Sequence, residues 1–329
     1  MNHLASARHR ILRCIAAAAL AATSLVAQAQ DYPAKPIRVV VPWPPGGVVD
    51  VAARQLGLRL QSALNQPVVI ENKVGAGGNI GAEQVAKSAA DGYTLLFTSS
   101  ALTINTALQP RLPYKLSQDF EPLALVAHAP AVLVVGPTIA PASVKELVEL
   151  AKSKPGQLSY ASAGVGSPAH LVGELFKSTQ KIFVVHVPYT GAPAALNDQI
   201  AGRIDFQFAN ATVALPQIRA GKVKALAVTS SQRFATLPQV PTMAEAGVPD
   251  FEVDQWVGLL GPRGLPKAVS ERLSAEVNKI LASAEFRQAL AQAGMSAVAS
   301  GTPASFDAAL KQDLARWTAV VKAQGLKPE

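Results

Sequence analysis

The chain has 329 residues, of which 49% are hydrophobic, a formal net charge of +8 and one cysteine, Cys14. Its length fits two domains, because single domains usually have about 100–200 residues. The basic residues are scattered along the sequence, which argues against a nucleic-acid partner. A single cysteine excludes internal disulfides, so the fold depends on the burial of apolar side chains.

The N-terminus has the features of a secretory signal peptide. Arginines precede an apolar run over residues 15–26, and a small-x-small site ends at Ala29. The run of about twelve residues is too short to span a bilayer. We therefore expect residues 1–29 to be removed and a periplasmic mature chain to begin at Gln30. Cys14 lies within the signal, directly after an arginine, so neither lipidation nor thiol chemistry is expected of the mature protein.

Strands, turns and helices alternate along the rest of the chain. Apolar, β-branched runs predict strands at residues 37–41, 68–70, 94–97, 158–161, 183–187, 204–208, 224–228 and 257–260. Helical spacing of apolar residues predicts helices at residues 52–64, 82–86, 144–151, 171–176, 194–200, 270–281 and 306–321. A long apolar segment over residues 123–135 separates two such series. This alternation predicts an α/β fold with a largely parallel sheet.

Two strand–turn–helix joints, at residues 42–50 and 162–170, are suited to bind an anion. Both turns contain glycines, which let bare backbone approach a ligand. The helix after each turn directs unpaired N–H groups and the positive end of its dipole to the same place. In open α/β sheets ligands lie at the carboxyl ends of the strands, where both turns are expected. The alternative is that these glycines only make two tight turns.

Other motifs give no support for a cofactor or a metal. The segment GAGGNIG at residues 75–81 departs from the dinucleotide-binding motif, since its last glycine comes one position late. The histidines of the mature chain, His128, His170 and His186, lack metal-ligand spacing.

Ser167 and His170 lie one helical turn apart, which leaves open a catalytic pair. Such a pair also needs a third orienting group and an oxyanion hole. Trp43, in the first turn, is a candidate wall of the pocket, with a surface aromatic as the alternative.

Seven segments in order carry a resemblance to a known family. They are YPAKPI (residues 32–37), PWPPGGVVD (42–50), ENKVGAGGNIG (71–81), DGYTL (91–95), GSPAHL (166–171), VPYTG (187–191) and LPQVPT (237–242). With them the chain resembles the Bug receptors, the extracytoplasmic binding components of tripartite tricarboxylate transporters. The resemblance covers essentially all of the mature sequence.

The resemblance implies a type II periplasmic-binding-protein fold, in which two α/β lobes enclose a ligand cleft. It implies a discontinuous first lobe, residues 30–124 and 232–329, and a second lobe, residues 125–231. The two crossings between the lobes are expected near residues 123–135 and 224–231.

The resemblance also implies where a carboxylate is held: at the two glycine turns, the end of the third strand and a loop of the second lobe. The expected ligand-binding residues are Trp43, Pro45, Gly46, Gly47, Asp50, Ser99, Ser100, Ser162, Gly164, Gly166, Ser167, His170, Tyr189, Thr190 and Gly191. One position departs from the family, since many relatives carry a hydroxyl residue where this chain has Val49. Ligand identity is therefore not transferred from any relative.

The function implied is that of a binding protein without cofactor, metal or enzymatic activity. It would capture a small carboxylated metabolite, such as a di- or tricarboxylate, an acidic amino acid or an aromatic carboxylate. As a monomer, it would deliver this ligand to integral membrane permease subunits of the transporter. The alternatives are a secreted hydrolase that uses Ser167 and His170, and a receptor that serves a signalling sensor.

Overall fold

The computed structural model describes residues 32–234 and 236–326, and one compact unit begins at Lys35. The predicted signal peptide and its cleavage site after Ala29 lie outside the described residues.

A first sheet has six strands. They are β1 (Ile37–Val41), β2 (Val68–Asn72), β3 (Thr94–Ser99), β4 (Phe120–His128), β10 (Trp256–Pro262) and β11 (Ser296–Ala297). Their order across the sheet is β11-β4-β10-β3-β1-β2. Strand β1 pairs in parallel with β2 and β3, whereas β10 and β11 run antiparallel to their neighbours.

A second sheet has five strands. They are β5 (Ala131–Val135), β6 (Ser159–Ser162), β7 (Val185–Pro188), β8 (Phe206–Asn210) and β9 (Lys224–Val228). Their order is β7-β6-β8-β5-β9. Strand β6 is parallel to β7 and β8, and β5 is antiparallel to β8 and β9.

Helices connect the strands in both sheets. The first four are α1 (Val48–Leu64), α2 (Asn79–Ala86), α3 (Ala101–Leu108) and α4 (Leu116–Asp119). Four more accompany the second sheet: α5 (Val144–Ser153), α6 (Pro168–Gln180), α7 (Ala192–Ile200) and α8 (Ala211–Arg219). The last three are α9 (Lys267–Ala282), α10 (Ala284–Gln292) and α11 (Pro303–Gln324).

The prediction of a largely parallel sheet was wrong, because both sheets are mixed. An apolar run predicts a buried strand but carries no information on its direction in the sheet. The apolar segment over residues 123–135 holds most of β4 and all of β5. These strands lie in different sheets, so the chain passes from one sheet to the other at Ala129 and Pro130.

Apolar packing ties the two sheets into one unit. The hydrophobic core of the second sheet includes Ile104 and Leu108 from α3, and Trp317 from α11. Residues nearer the start of α11, Phe306 and Leu310, belong to the core of the first sheet. Helix α11 therefore spans both cores, and burial of its apolar side chains favours contact between the two halves.

The connection from β9 back to β10 stays with the second sheet for most of its length. The side chains of Met243, Val248, Phe251 and Val253 are buried in the core of that sheet. The backbone N–H of Val253 donates to the carbonyl of Thr229. The lobe boundaries predicted from the sequence, at residues 124/125 and 231/232, remain a prediction.

Candidate functional site

A cavity between the two sheets contains about 520 Å³ of unfilled space, part of it open to solvent. It is lined by residues 43–44, 47–49, 163, 167–169, 192, 207–210 and 255. We call it the first cavity. Both predicted glycine turns reach it, one from each sheet. The two strand–turn–helix joints, at residues 42–50 and 162–170, thus contribute residues to the same cavity.

The first turn supplies the start of helix α1. Gly47 is the N-cap residue, and among the described residues no side chain caps the helix there. The first N–H groups of a helix have no acceptor within the helix. Residues 47–49, which carry such groups, line the first cavity. An anion in the cavity would meet backbone donors and the positive end of the helix dipole.

Asp50 holds this turn in place. Its carboxylate accepts hydrogen bonds from the N–H of Gly46 at 3.0 Å, from Arg54 Nε at 2.9 and 3.1 Å, and from Asn72 Nδ2 at 2.9 Å. The same Asn72 nitrogen donates to the carbonyl of Trp43 at 2.8 Å. Burial raises the pKa of Asp50, but these hydrogen bonds outweigh it and leave the pKa below its ordinary 3.8. The buried carboxylate therefore orders the turn in its charged form.

The second turn offers fewer free donors than the first. The N–H of Gly166 donates to His170 Nδ1 at 3.3 Å, and the N–H of Ser167 donates to the carbonyl of Gly164 at 3.0 Å. Ser167 Oγ caps the helix by accepting the N–H of His170. Proline at position 168 has no N–H. The N–H of Ala169 and the hydroxyl hydrogen of Ser167 are among the donors that this turn brings to the first cavity.

Two further helix starts face the same cavity. Ala192 is the first residue of α7, and Asn210 is the N-cap residue of α8. Four of the described helices, α1, α6, α7 and α8, thus begin at the first cavity. Each helix start carries about half a positive charge. Among the described residues, those that line the cavity include no Asp, Glu, Lys, Arg or His. The cavity is therefore electropositive without a cationic side chain.

Three amide side chains at this cavity, those of Gln207, Asn210 and Gln255, were not predicted from the sequence. Asn210 Nδ2 donates to Gln255 Oε1 at 2.6 Å, and this bond joins the second sheet to the connection before β10. Gln207 Nε2 donates to Gln199 Oε1 at 2.7 Å. Asn210 could have been found, since it ends β8, which runs parallel to β6. Gln255 stands in a loop without any motif, so no sequence signal pointed to it.

A second cavity lies beside the first and shares Trp43 and Ala163 with it. It contains about 940 Å³ of unfilled space, including open solvent. It is lined by residues 42–43, 74–78, 109, 163–165 and 189–190. Three expected ligand-binding residues, Gly164, Tyr189 and Thr190, line this second cavity and not the first.

The remaining expected residues do not line either cavity. Ser99 and Ser100 are buried at the end of β3, and Pro45 and Gly46 are exposed on the first turn. Gly191 precedes α7 at the edge of the first cavity. These five residues, with Asp50, Ser162, Gly166 and His170, line neither cavity in the structure.

The buried residues Ser162 and His170 form a cluster behind the second turn with His186, which is half-buried. Ser162 Oγ lies 2.7 Å from His186 Nε2, and the two imidazole rings stack with centroids 4.4 Å apart. Burial lowers the pKa of His186 to about 4, so its ring is neutral near pH 7. The ring of His170 accepts the Gly166 N–H, while the Ser167 hydroxyl bonds the backbone of His170. The hydroxyl of Ser167 therefore serves as a helix cap.

In the described part of the chain, no helix combines the length and apolar character needed to cross a membrane. The same residues contain no group of three or more His, Cys, Asp or Glu side chains placed to hold a metal ion.

The sequence and the structure of this chain are similar to those of known proteins. Residues 52–326 match the model of the tripartite tricarboxylate transporter family receptor. Protein BugT of Bordetella pertussis is 39% identical over 301 residues, which cover 91% of this chain and 92% of BugT. The structure of the periplasmic binding protein BugD is similar with a TM-score of 0.87 and 35% identity, covering 91% of this chain and all of BugD. A third neighbour is Rhodopseudomonas palustris Rpa4515 with adipate. Its TM-score is 0.87 at 33% identity, over 91% of this chain and all of the neighbour.

Proposed function

Since this chain belongs to the tripartite tricarboxylate transporter receptor family, whose members are solute-binding proteins with a two-lobed type II fold, we propose that it captures a small carboxylate in the first cavity. One observation carries the proposal. Four helix starts, from both sides of the cleft, meet at a cavity whose described lining residues include no charged side chain. The structure of the similar protein Rpa4515 is one with adipate, which is a dicarboxylate.

The donors at the cavity are sufficient for useful affinity. A hydrogen bond to a charged group contributes about 1.5–3 kcal/mol. Four such bonds, for instance from residues 47–49 and Ala169, would contribute about 6–12 kcal/mol before the cost of ordering the ligand and the lobes. Micromolar binding corresponds to about 8.2 kcal/mol. No cationic side chain is therefore required.

Some of the expected ligand-binding residues would contact the ligand directly, and others would hold the two turns in place. Trp43, Gly47 and Ser167 would contact the ligand, since they line the first cavity. Asp50 would hold the first turn and Gly166 the second, through their hydrogen bonds to neighbouring residues. Gln207, Asn210 and Gln255 join the site as neutral partners for the body of the ligand.

We infer further that the protein is a binding component and not an enzyme. The Ser167 hydroxyl caps α6, and the neutral donors suit binding without a chemical step. The mature chain, cleaved after Ala29, would act in the periplasm as a monomer and pass its ligand to membrane permease subunits. We propose that the second lobe, residues 125–231, is built around the second sheet, and Met243, Val248, Phe251 and Val253 pack against it from the following connection.

Calorimetric titration of two variants with a panel of carboxylates tests the site. Gly47 has a φ of −76°, and the nearest atom to an added Cβ is the carbonyl oxygen of Pro44 at 3.6 Å. Gly47→Val therefore fits the backbone but fills the cavity, and it should weaken binding at least about tenfold, or about 1.4 kcal/mol. Arg203→Gln is the control, because Arg203 binds Asp198 and lines neither cavity. Loss of binding only in the arginine variant would show that a salt bridge holds the ligand.

A further inference from the structure

A series of hydrogen bonds between polar side chains leads from the core of the first sheet toward the second glycine turn. It begins at Tyr114, whose ring belongs to that core and whose hydroxyl donates to Asn79 Oδ1 at 2.6 Å. Asn79 Nδ2 donates to Gln109 Oε1 at 3.3 Å, and Gln109 Nε2 donates to Asn105 Oδ1 at 2.9 Å. Tyr114, Asn79 and Asn105 are buried. Since a buried polar group without a partner is costly, these bonds fix the orientation of the Asn105 side chain.

Asn105, at the end of this series, contacts segments that belong to different sheets. It lies on helix α3, and its Nδ2 donates to the carbonyl of Gly77 at 2.9 Å. On its other side the carboxamide lies against Gly166, where an added Cβ would collide with Asn105 Oδ1 and come within 3.0 Å of Cγ. Gly77 belongs to the loop at residues 75–78, which follows β2, and Gly166 belongs to the second turn, which follows β6. The side chain of Asn105 therefore links this loop to the second turn.

The loop and the second turn also lie against each other directly. A Cβ on Gly77 would be 2.5 Å from the carbonyl oxygen of Val165, which is closer than two such atoms can approach. Gly77 and Gly166 both have positive φ, 62° and 77°. Both positions therefore require glycine for their conformation and for the space that they occupy. Segments packed this closely cannot shift independently of each other.

The second turn carries donors of the proposed ligand site. Gly166 directly precedes Ser167, and Ser167 and Ala169 line the first cavity. Asn105 itself lines neither cavity. A displacement of the backbone at Gly166 would move the hydroxyl of Ser167 and the N–H of Ala169 relative to the first turn. Such a displacement would weaken binding, because hydrogen bonds lose strength steeply when donor and acceptor are misaligned.

We propose that Asn105 is a positioning residue for ligand binding, and this rests on the proposed function of the first cavity. Its carboxamide holds the second turn at a fixed place relative to the first sheet, so that the donors of the two turns face one ligand. An apolar side chain of the same size would fill the space but would leave the Gly77 carbonyl without this donor and Gln109 Nε2 without this acceptor. Asn105 acts through Gly166 and does not touch the ligand.

A double-variant cycle tests this role by calorimetry with succinate, malate and adipate as probes. Asn105→Ala should weaken binding about tenfold, and Ser167→Ala should weaken it as well. In the double variant the loss should be smaller than the product of the two single losses by at least about threefold. The reason is that a displaced turn has already lost the bond from the Ser167 hydroxyl. A purely structural effect of Asn105 would instead multiply with that of Ser167→Ala.

The control variant is Ile104→Val. Ile104 is buried on the same helix, but its side chain lies in the core of the second sheet. It should lower the urea concentration at which the protein unfolds, while the affinity for each probe stays within about twofold. Asn105→Ser, which keeps a polar group, takes the place of Asn105→Ala in the cycle if the alanine variant does not fold.

Two outcomes would overturn the proposal. If the wild type binds a probe and the Asn105 variant binds it with unchanged affinity, or if the two single losses multiply, the positioning role is wrong while the proposed function stands. If none of the three probes binds the wild type, both proposals fall.

Discussion

Gly191 and Pro44 lie in contact across the cleft: a Cβ on Gly191 would be 2.2 Å from Cγ of Pro44. Pro44 belongs to the turn before α1 beside the first sheet, and Gly191 is the N-cap residue of α7 beside the second. The backbone of Gly191 is extended, with φ of 173°, a conformation that any residue can adopt. Only the approach of the two halves therefore requires glycine here.

We expect Gly191→Ala to weaken ligand binding by hindering this approach. Overpacking costs about 1–3 kcal/mol, which corresponds to a loss of about five- to 150-fold in affinity. Calorimetry measures the affinity, and small-angle scattering measures whether ligand still makes the variant more compact. The double variant Gly191→Ala/Pro44→Ala removes the colliding Cγ and should recover part of the affinity. Unchanged binding by the single variant would show that the cleft closes without this contact.

Trp43 should report on ligand binding by its fluorescence. It lines both cavities and its indole N–H has no partner among the described residues. Trp256 Nε1 already donates to Asp313 at 2.8 Å, and Trp317 is buried in the core of the second sheet. We expect Trp43→Phe to remove most of the change seen when the tightest-binding carboxylate is added. If the variant keeps the full change, the signal comes from another tryptophan and Trp43 does not contact the ligand.

Two histidines should make stability depend on pH in opposite directions. His128 Nδ1 lies 2.9 Å from Asp254 Oδ2, and this carboxylate raises the pKa of His128 above 6.5 against the effect of burial. The short polar contact and, to a smaller extent, the opposite charges favour the protonated ring. This stabilisation is complete below about pH 6.5, and it is lost as the pH rises through the pKa that His128 has in the folded protein. Both side chains are about one-third or more exposed, so the effect should be below about 1 kcal/mol.

His186 should lower the stability of the folded protein at acidic pH. Its pKa is lowered from 6.5 to about 4 by burial, so between these values the unfolded chain binds the proton more readily. The free energy of unfolding should therefore fall as the pH drops from about 6.5 to 4. Urea unfolding between pH 4 and 8.5 measures both effects. The variant His128→Gln should lose only the decline above pH 6.5, and a profile identical to the wild type would show that the pair with Asp254 contributes nothing.

Much of the secondary structure could be predicted because apolar runs and helical spacing report burial directly. Strands β1, β6 and β9 and helices α1 and α7 lie within a few residues of their predicted positions. Helix α8 was missed, since Pro216 stands inside it and favours a helix end. Strand direction could not be predicted, because it depends on connections that the local pattern does not encode.

The candidate site was only partly predictable for a related reason. The two glycine turns were recognised because a turn and the helix after it are adjacent in sequence. The separation of Tyr189 and Thr190 from Gly47 into different cavities depends on how the two sheets approach each other. The contribution of Gln255 depends on its bond to Asn210, 45 residues away in the chain. Neither relationship can be predicted from the residues that are adjacent in the sequence.

Val49 stands at the position where many relatives in the family that this chain resembles carry a hydroxyl residue. Val49 is 2% exposed and lines the first cavity beside Gly47. Its side chain offers a hydroxylated ligand no hydrogen bond. Malate and succinate differ by one hydroxyl, so the ratio of their affinities measures whether the cavity has a partner for that group. The wild-type ratio, to which the amide side chains of Gln207, Asn210 and Gln255 contribute, is the baseline against which a change at Val49 is read.

Val49→Thr nearly preserves the volume and adds one hydroxyl at the cavity. Without ligand, a buried hydroxyl that lacks a partner should lower the free energy of unfolding by about 1–3 kcal/mol. With malate, the new group can bond the ligand, so the affinity ratio of malate to succinate should rise about five- to tenfold, or about 1–1.4 kcal/mol. Val51→Thr is the matched control, because Val51 lies on the same helix and lines neither cavity. If Val49→Thr leaves the ratio unchanged while it still binds succinate, the ligand's body does not reach this face of the cavity.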